Sequence, residues 1–102
     1  MPKKTTPFKP LDPLLHSQLR LAIMSVLISR KEADFKFLKE ATGATSGNLS
    51  VQVQKLCDAN YLSIEKSFKE NYPHTNCTIT KKGIEAFETY VNSLKSYLNN
   101  SD

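Results

Sequence analysis

The sequence has little of what membrane insertion or secretion requires. Its 102 residues include no long uninterrupted apolar run, whereas a membrane-spanning helix needs about 18 or more apolar residues in succession. The N-terminus also lacks the apolar core of a secretory signal. We therefore expect a cytoplasmic protein with no membrane partner. At this length the chain forms about one domain around a single core.

Patterns that carry catalysis or bind metals are also missing. The three glycines form no phosphate-binding loop, no Ser or Cys is paired with a His at a recognisable spacing, and the carboxylates are not clustered. We expect no enzyme, no catalytic residue and no cofactor. Cys57 and Cys77 lie in apolar patterns, which is typical of free buried thiols in a reducing compartment. A metal-sensing site that folding assembles from Cys57, Cys77 and His74 is a minor alternative.

The charge balance is moderately basic. Fourteen Lys and Arg residues against ten Asp and Glu give a net charge of +4, which suits nucleic acid but is shared by many proteins. The prolines and lysines of the first residues predict a flexible basic arm over residues 1–11, which either hangs free or lies along phosphates. These are Pro2, Lys3, Lys4, Pro7, Lys9 and Pro10. Residues 12–102 then form the folded domain.

Helical spacing of apolar residues predicts a first helix over about Leu14 to Ser29, capped by Asp12 and opened by Pro13. Its core-facing residues are Leu15, Leu19, Ala22, Ile23 and Val26. A second apolar stripe, spaced seven apart, consists of Leu14, Leu21 and Ile28. This second stripe indicates burial against another helix, of this chain or of a partner subunit.

A helix-turn-helix pattern follows. After a short extended piece that ends near Phe35, a second helix covers about 36–42, with Phe37, Leu38 and Ala41 as its buried positions. Gly43 stops this helix because glycine readily takes a positive φ. Thr45 or Ser46 then caps a third helix that runs to about Asn60.

Two strands and a last helix complete the chain. Alternation in "YLSIEKSF" and "TNCTIT" predicts a hairpin over residues 62–79, whose tip contains Asn71 and Pro73. Thr80 caps the last helix, in which spacings of three and four residues make an apolar seam of coiled-coil type. The seam consists of Ile84, Phe87, Val91, Leu94 and Leu98, and with the second stripe of helix one it predicts a dimerisation surface.

The third helix has an unusual exposed face. Leu49, Val53, Leu56 and Cys57 form its buried arc. Opposite them lie Gly47, Asn48, Val51, Gln54 and Lys55, with Ser46, Ser50 and Gln52 at the tip and flanks. Amides pair with adenine, lysine approaches guanine or phosphate, and a lone valine packs on a thymine methyl. The face therefore suits base reading, and the alternative is an ordinary solvated surface.

The stretches "TSGNLSVQVQKLCDANYL", "YPHT" and "TITKKGIEAFETYV" resemble the winged helix-turn-helix transcriptional regulators related to the MarR and ArsR groups. The resemblance covers about Leu11 to Leu98. It implies a mainly α fold with a small β-hairpin (α+β), in the order α-α-α-β-β-α with a short strand before the second helix. It also implies that residues 12–102 form a DNA-binding and dimerisation domain, which works as a homodimer on double-stranded DNA with an inverted repeat.

The resemblance extends to residues. The implied major-groove residues are Ser46, Asn48, Ser50, Val51, Gln52, Gln54 and Lys55. The predicted DNA contacts also include Thr45 and Gly47 at the start of the third helix, and Lys69 and His74 on the wing. The predicted dimer contacts are the two apolar stripes described above, Leu14, Leu21, Ile28, Ile84, Phe87, Val91, Leu94 and Leu98. The hairpin tip departs from the family pattern, because the residues 69–74 are nearly neutral where glycine and arginines are usual. We therefore expect the contact between the wing and DNA to be weaker or differently oriented than in the family.

Two alternatives to sequence-specific DNA binding stay open. A winged helix also serves as a protein-interaction module, because a fold does not fix its use. A sequence-tolerant nucleic-acid binder would interleave aromatic with basic residues, and helix three has no aromatic residue before Tyr61. The sequence does not identify an operator or a small-molecule effector, and it does not distinguish a repressor from an activator.

Overall fold

The computed structural model describes residues 8–98, which form four helices and a three-stranded antiparallel sheet. In chain order these are α1 (Gln18–Arg30), β1 (Glu32–Asp34), α2 (Phe35–Thr42), α3 (Ser46–Asp58), β2 (Leu62–Lys69), β3 (Tyr72–Ile79) and α4 (Lys81–Leu98). The strand order is β1-β3-β2. The predicted fold class is confirmed, including the short strand before the second helix. Residues 1–7 of the predicted arm and 99–102 of the predicted domain lie outside the described part.

The first helix begins later than predicted, at Gln18. The N–H groups of Leu15 and His16 both donate to the carbonyl of Asp12, so Asp12 closes a separate turn. Ser17 is extended, with φ −152°, and its side chain caps α1, because an N-cap residue lies outside helical geometry. Leu14 consequently lies in the turn, and the second apolar stripe of α1 is reduced to Leu21 and Ile28.

One apolar core joins the helices to the sheet. Its buried residues are Leu15, Ile23, Met24, Leu27, Ala33, Leu38, Leu49, Val53, Leu56, Leu62, Cys77, Ile79 and Tyr90. Met24 and Leu27 were not predicted, and Leu19, Ala22 and Val26 are only half-buried. The predicted buried position Ala41 is exposed, and Cys57 is half-buried. Both lie near the ends of their helices, where the packed face runs out.

The two turns around α2 follow the sequence closely. Asp34 caps the helix by accepting a hydrogen bond from the Phe37 N–H at 2.7 Å. Gly43 ends it with φ +73°, the left-handed conformation that glycine takes without steric cost. These two residues set the angle at which the chain turns from α2 into α3.

Helix α4 packs on the rest of the chain with a face that lies beside its apolar seam. The buried residues of α4 are Gly83, Tyr90 and Ser93. The seam residues Ile84, Phe87, Val91 and Leu94 are half-buried, and Leu98 is 74% exposed. The domain therefore leaves part of the seam uncovered.

The segment that precedes the first turn lies along the end of α4. The rings of Phe8 and Tyr97 stack with centroids 4.8 Å apart. The Lys9 N–H donates to Ser96 Oγ, and the Tyr97 hydroxyl donates to the Lys9 carbonyl. Two residues of the predicted arm, Phe8 and Lys9, thus make aromatic and backbone contacts with α4.

The hairpin passes into α4 through a compact set of contacts around Tyr61. The Thr80 N–H donates to the Tyr61 carbonyl, and the Thr80 hydroxyl donates to the Asn60 carbonyl. The same hydroxyl accepts from the Gly83 N–H at 2.9 Å, which confirms Thr80 as the cap of α4. A Cβ at Gly83 would overlap the Tyr61 carbonyl and lie 3.0 Å from Ile79 Cγ1. Only glycine fits there.

We expect Gly83→Ala to lower the free energy of unfolding by about 1 to 3 kcal/mol, the usual cost of overpacking a core position. Gly47→Ala is the matched control, because a Cβ at that helical position meets nothing within 4 Å. Thermal and urea unfolding of both variants measure the difference. Equal stability of the two variants would contradict the packing role of Gly83.

Candidate nucleic-acid interface

Burial of one side of α3 determines which residues its other side exposes. Leu49, Val53 and Leu56 are buried, which fixes the rotation of the helix about its axis. Of the predicted groove residues, Thr45, Ser46, Gly47, Asn48, Ser50, Val51, Gln54 and Lys55 are exposed, and Gln52 is half-buried. Val51 is 52% exposed although it is apolar. The structure thus brings the predicted residues of α3 onto one accessible surface.

Thr45 caps α3. Its backbone is extended, with φ −71° and ψ 156°, and its hydroxyl oxygen accepts from the Asn48 N–H at 3.2 Å. Of the two residues that the sequence allowed as the cap, the structure therefore selects Thr45. The side chain of Asn48 has no part in the cap and is available for other contacts.

A chain of hydrogen bonds orders the amide of Asn48. Arg20 Nη1 donates to Gln52 Oε1 at 2.5 Å, and Gln52 Nε2 donates to Asn48 Oδ1 at 3.0 Å. Arg20 is itself held, because its Nε donates to the Leu14 carbonyl. One lone pair of Asn48 Oδ1 and the Asn48 NH₂ group stay open to a ligand. Gln52 therefore positions Asn48, a role that its place on the flank of α3 did not predict.

Gln54 has a different partner. Its Nε2 donates to Asp58 Oδ1 at 2.9 Å, one turn further along α3. Its Oε1 and second N–H stay open to a ligand. The contact also occupies Asp58, the one acidic residue of α3, and holds it toward the end of the helix.

A cleft of about 410 Å³ lies between α2, the start of α3 and the hairpin. It is lined by Asp34, Phe35, Lys36, Lys39, Ser46, Pro73, His74 and Thr75. The Asp34 carboxylate accepts the capping hydrogen bond of α2. Lys36 and Lys39 are exposed and give the cleft its positive charge.

Sequence reasoning missed these two lysines. Their spacing of three residues puts them on one side of α2, away from the buried Leu38. The three-residue spacing could have indicated that both lysines lie on one side of α2. Only the packing of α2 beside the hairpin shows that this side of the helix faces a cleft.

The two predicted wing residues lie in different places. Lys69 ends β2 and pairs with Tyr72 across a two-residue turn, in which Glu70 and Asn71 have φ 52° and 69°. Positive φ at both residues is the geometry of a tight hairpin. His74 is half-buried and lines the cleft. Lys69 is thus the last residue before the turn, and His74 lies two residue pairs further from the turn, opposite Ser67.

Three of the eight predicted dimer residues, Ile28, Phe87 and Val91, line a groove between α1 and α4. Ile28, Phe87, Glu88, Val91 and Asn92 line about 330 Å³ of space there. Leu14, Leu21, Ile28, Ile84, Phe87 and Leu94 also pack against the core of their own chain. Val91 is half-buried and is not among the residues that pack against the core. This apolar groove has no partner within residues 8–98.

The cysteines lack the features of a metal sensor. Burial raises the pKa of the Cys77 thiol to about 11, with Cys57 and Asp34 adding to the effect, and burial also raises the pKa of Cys57. Both thiols are therefore protonated at neutral pH, as expected of free thiols. Residues 8–98 contain no group of three or more His, Cys, Asp or Glu side chains that could hold a metal ion. Among the same residues, no helix is long and apolar enough to cross a membrane.

Comparisons with known proteins agree on the type of domain. The family model of the winged helix DNA-binding domain matches residues 19–98. An uncharacterised protein of Methanocaldococcus jannaschii is 31% identical over 78 residues, which cover 76% of this chain and 85% of that protein.

Two solved structures extend the comparison. A transcriptional regulator homologue from Pyrococcus horikoshii is 28% identical, with a TM-score of 0.79 over 84% of this chain and 85% of that chain. AbsC, a MarR family transcriptional regulator from Streptomyces coelicolor, is 18% identical, with a TM-score of 0.66 over 88% of this chain and 65% of that chain. The likeness to AbsC is one of fold.

The cap of α3 gives a prediction for stability. We expect Thr45→Ala to cost about 1 kcal/mol of unfolding free energy, because the Asn48 N–H then loses its side-chain acceptor. Thr45→Ser retains the hydroxyl and should stay within a few tenths of a kcal/mol of the unaltered protein. Urea unfolding measures both. A loss as large in Thr45→Ser as in Thr45→Ala would mean that the threonine methyl group, not the hydroxyl, matters.

Proposed function

The chain belongs to the family of winged helix DNA-binding domains related to the MarR transcriptional regulators, and we propose that it binds double-stranded DNA sequence-specifically as a homodimer. In this proposal α3 enters the major groove and the β2–β3 hairpin is the wing. The family and the fold are those of transcriptional regulators, which are not enzymes, as the sequence predicted. The exposed polar face of α3 is the observation that carries the proposal.

The chemistry of this face fits base edges. The ordered amide of Asn48 presents both a donor and an acceptor, which complement the N7 acceptor and the N6 donor of adenine. The exposed side chain of Val51 can pack against the methyl group of a thymine. Lys55 is exposed on the same helix and can reach guanine or phosphate. A solvated face without a ligand needs no such ordered amide.

Positive groups flank α3 on two sides. Lys36 and Lys39 border the cleft beside Ser46, and Arg20 lies against Gln52 on the other side. Phosphates on either side of a major groove would meet these cations while α3 lies between them. Contacts of this kind fix the register of a protein on DNA without reading sequence.

A protein-interaction role fits the same face less well. Protein interfaces concentrate their binding energy in buried aromatic and apolar anchors surrounded by a polar rim. The exposed face of α3 has only Val51 as an apolar anchor, and its other members are small, amide or cationic. DNA is therefore the partner that we propose for this face.

The groove between α1 and α4 supports the homodimer. Ile28, Phe87 and Val91 line this groove together with the polar Glu88 and Asn92, and an exposed apolar patch with a polar rim marks an interaction site. A second copy of α4, packed along the same seam, would cover this lining. A two-fold dimer presents α3 twice, so the preferred DNA would be an inverted repeat with half-sites about one helical turn apart, or a multiple of that.

The base-reading role predicts altered sequence preference in two variants. Selection from a random duplex pool should enrich an inverted repeat with the unaltered protein. Asn48→Ala and Gln54→Ala should each relax the preference at one symmetric pair of base positions, since a bidentate pair contributes about 1 to 3 kcal/mol of discrimination. Neither residue contacts the core, so melting temperatures should stay nearly unchanged.

The control for this selection is Ser63→Ala, an exposed change on β2 outside the proposed interface. It should reproduce the parent's base preference. If Asn48→Ala and Gln54→Ala also reproduced it, at the parent's affinity, the polar face of α3 would be an ordinary solvated surface.

The dimer predicts a difference between two positions on α4. Val91→Glu puts a charge in the apolar groove, where burial without a partner is costly, and should give folded monomers. Thr89→Glu is the matched control, because Thr89 is an exposed β-branched residue on another side of α4. Sedimentation at micromolar concentration measures the mass, and circular dichroism checks folding. An unaltered protein that sediments as a monomer would contradict the proposal.

A further inference from the structure

Phe68 is the most exposed large apolar side chain among residues 8–98, at 76%. It lies on β2, directly opposite Pro73 and one residue pair from the turn of the hairpin. The hydrophobic core and the groove between α1 and α4 both lie elsewhere. An aromatic ring in this place contributes little to folding and needs another explanation.

The strand pattern shows which way Phe68 faces. Successive side chains of a strand point to opposite faces, and the pairs Leu62–Ile79, Ile64–Cys77, Lys66–Thr75 and Phe68–Pro73 share one face of the hairpin. Leu62, Cys77 and Ile79 are buried, so this face is the one that covers the helices. Beyond the core the same face carries Lys66 and then Phe68. Tyr72 and Lys69 occupy the opposite face.

The cleft described above connects Phe68 to the proposed DNA surface. Pro73 and Thr75 line one wall of this cleft, while Ser46 at the start of α3 lines another. From Thr75 the hairpin continues for three residues to Tyr72, which is roughly 10 Å at the rise of an antiparallel strand. A DNA strand with its phosphates beside Lys36 and Lys39 would thus have α3 on one side and Phe68 on the other.

We propose that Phe68 is an apolar wedge, which enters the minor groove next to the half-site and partly unstacks one base step. The inference rests on the proposed function, since it takes α3 to lie in the major groove. Proteins that bend DNA through its minor groove use single Phe, Leu, Ile, Met or Pro side chains in this way. Pro73 lies directly opposite Phe68 across the strand pair and would support the wedge there.

The charges around the tip agree with a wedge. Lys69 and Glu70 are adjacent at the turn, so they leave the tip itself close to neutral. Lys66 is exposed on the same face of the hairpin as Phe68 and lies further from the turn. There it can contact phosphates between α3 and the wedge. Electrostatic attraction would therefore hold the base of the hairpin, while an apolar contact would act at its tip.

The size of the patch argues against a protein partner. A specific protein interface buries about 800 Å² on each partner, whereas Phe68 and Pro73 lie at the narrow end of a two-stranded ribbon. One ring suffices for a wedge, because it opens a single base step, and the contacts that the bend allows offset the free-energy cost of unstacking.

The test uses the full-length protein and the duplex selected with it. Phe68→Ala should reduce the protein-induced bend by roughly 20° or more, the lower end of kinks made by such wedges, as measured by energy transfer between dyes at the duplex ends. Phe68→Leu retains an apolar wedge and should restore most of the bend. With 2-aminopurine placed singly along the flanks, unaltered protein should brighten one symmetric pair of positions, and Phe68→Ala should not.

Tyr72→Ala is the matched control, an aromatic side chain of similar exposure, 73%, on the opposite face of the same tip. It should leave both signals unchanged. Loss of bending in Tyr72→Ala to the same degree, or an unchanged bend in Phe68→Ala, would overturn the wedge while α3 could still bind its site. An oligomeric state that depends on Phe68 without DNA would overturn it in favour of a second copy. Failure of the unaltered protein to select any duplex would instead remove the proposed function.

Discussion

The contact between Gly83 and the Tyr61 carbonyl determines how the parts of this domain are arranged. It brings the start of α4 against Tyr61, three residues after the end of α3, closer than a side chain at position 83 would permit. Thr80 strengthens the junction from the other side, with hydrogen bonds to the Asn60 and Tyr61 carbonyls. The helix proposed to read DNA and the helix proposed to form the dimer are thus connected through one closely packed junction. In a dimer built on α4, this junction would set the distance between the two copies of α3.

The same junction reaches the N-terminal part of the chain. The Tyr61 hydroxyl donates to Asp12 Oδ2 at 2.5 Å, and together with burial this hydrogen bond raises the pKa of Tyr61 to about 12. Asp12 also closes the turn that delays α1 to Gln18. The Asp12 carboxylate, which was expected to cap α1, instead accepts from the Leu14 N–H and from the Tyr61 hydroxyl. The sequence pattern at residues 12–14 was a correct sign of a local turn, and the error lay in attaching that turn to the helix.

Sequence patterns within a few residues predicted the helices, caps and turns of the fold. They did not predict contacts between residues that are far apart in the sequence. The caps Thr45 and Thr80, the stop at Gly43 and the hairpin each depend on residues within a few positions, and all are confirmed. The buried set of α1 was displaced, because Met24 and Leu27 meet partners that the spacing within α1 does not specify. For the site, helical periodicity predicted which residues of α3 are exposed. The bond from Arg20 to Gln52 joins residues 32 apart in sequence, and no local pattern encodes it.

Three surfaces of different chemistry follow one another from α3 to the end of the hairpin. The face of α3 has ordered amides, the cleft has Lys36 and Lys39, and the tip has Phe68. DNA presents a matching order, since base edges in the major groove are followed by a phosphate strand and then by a narrower groove that carries little sequence information. A tip rich in arginine would duplicate the charge already present in the cleft and would select narrow minor grooves, whose negative potential attracts arginine. An apolar tip would instead add a dependence on how easily a base step opens, so flexible pyrimidine–purine steps would be favoured beyond the bases that α3 is proposed to read.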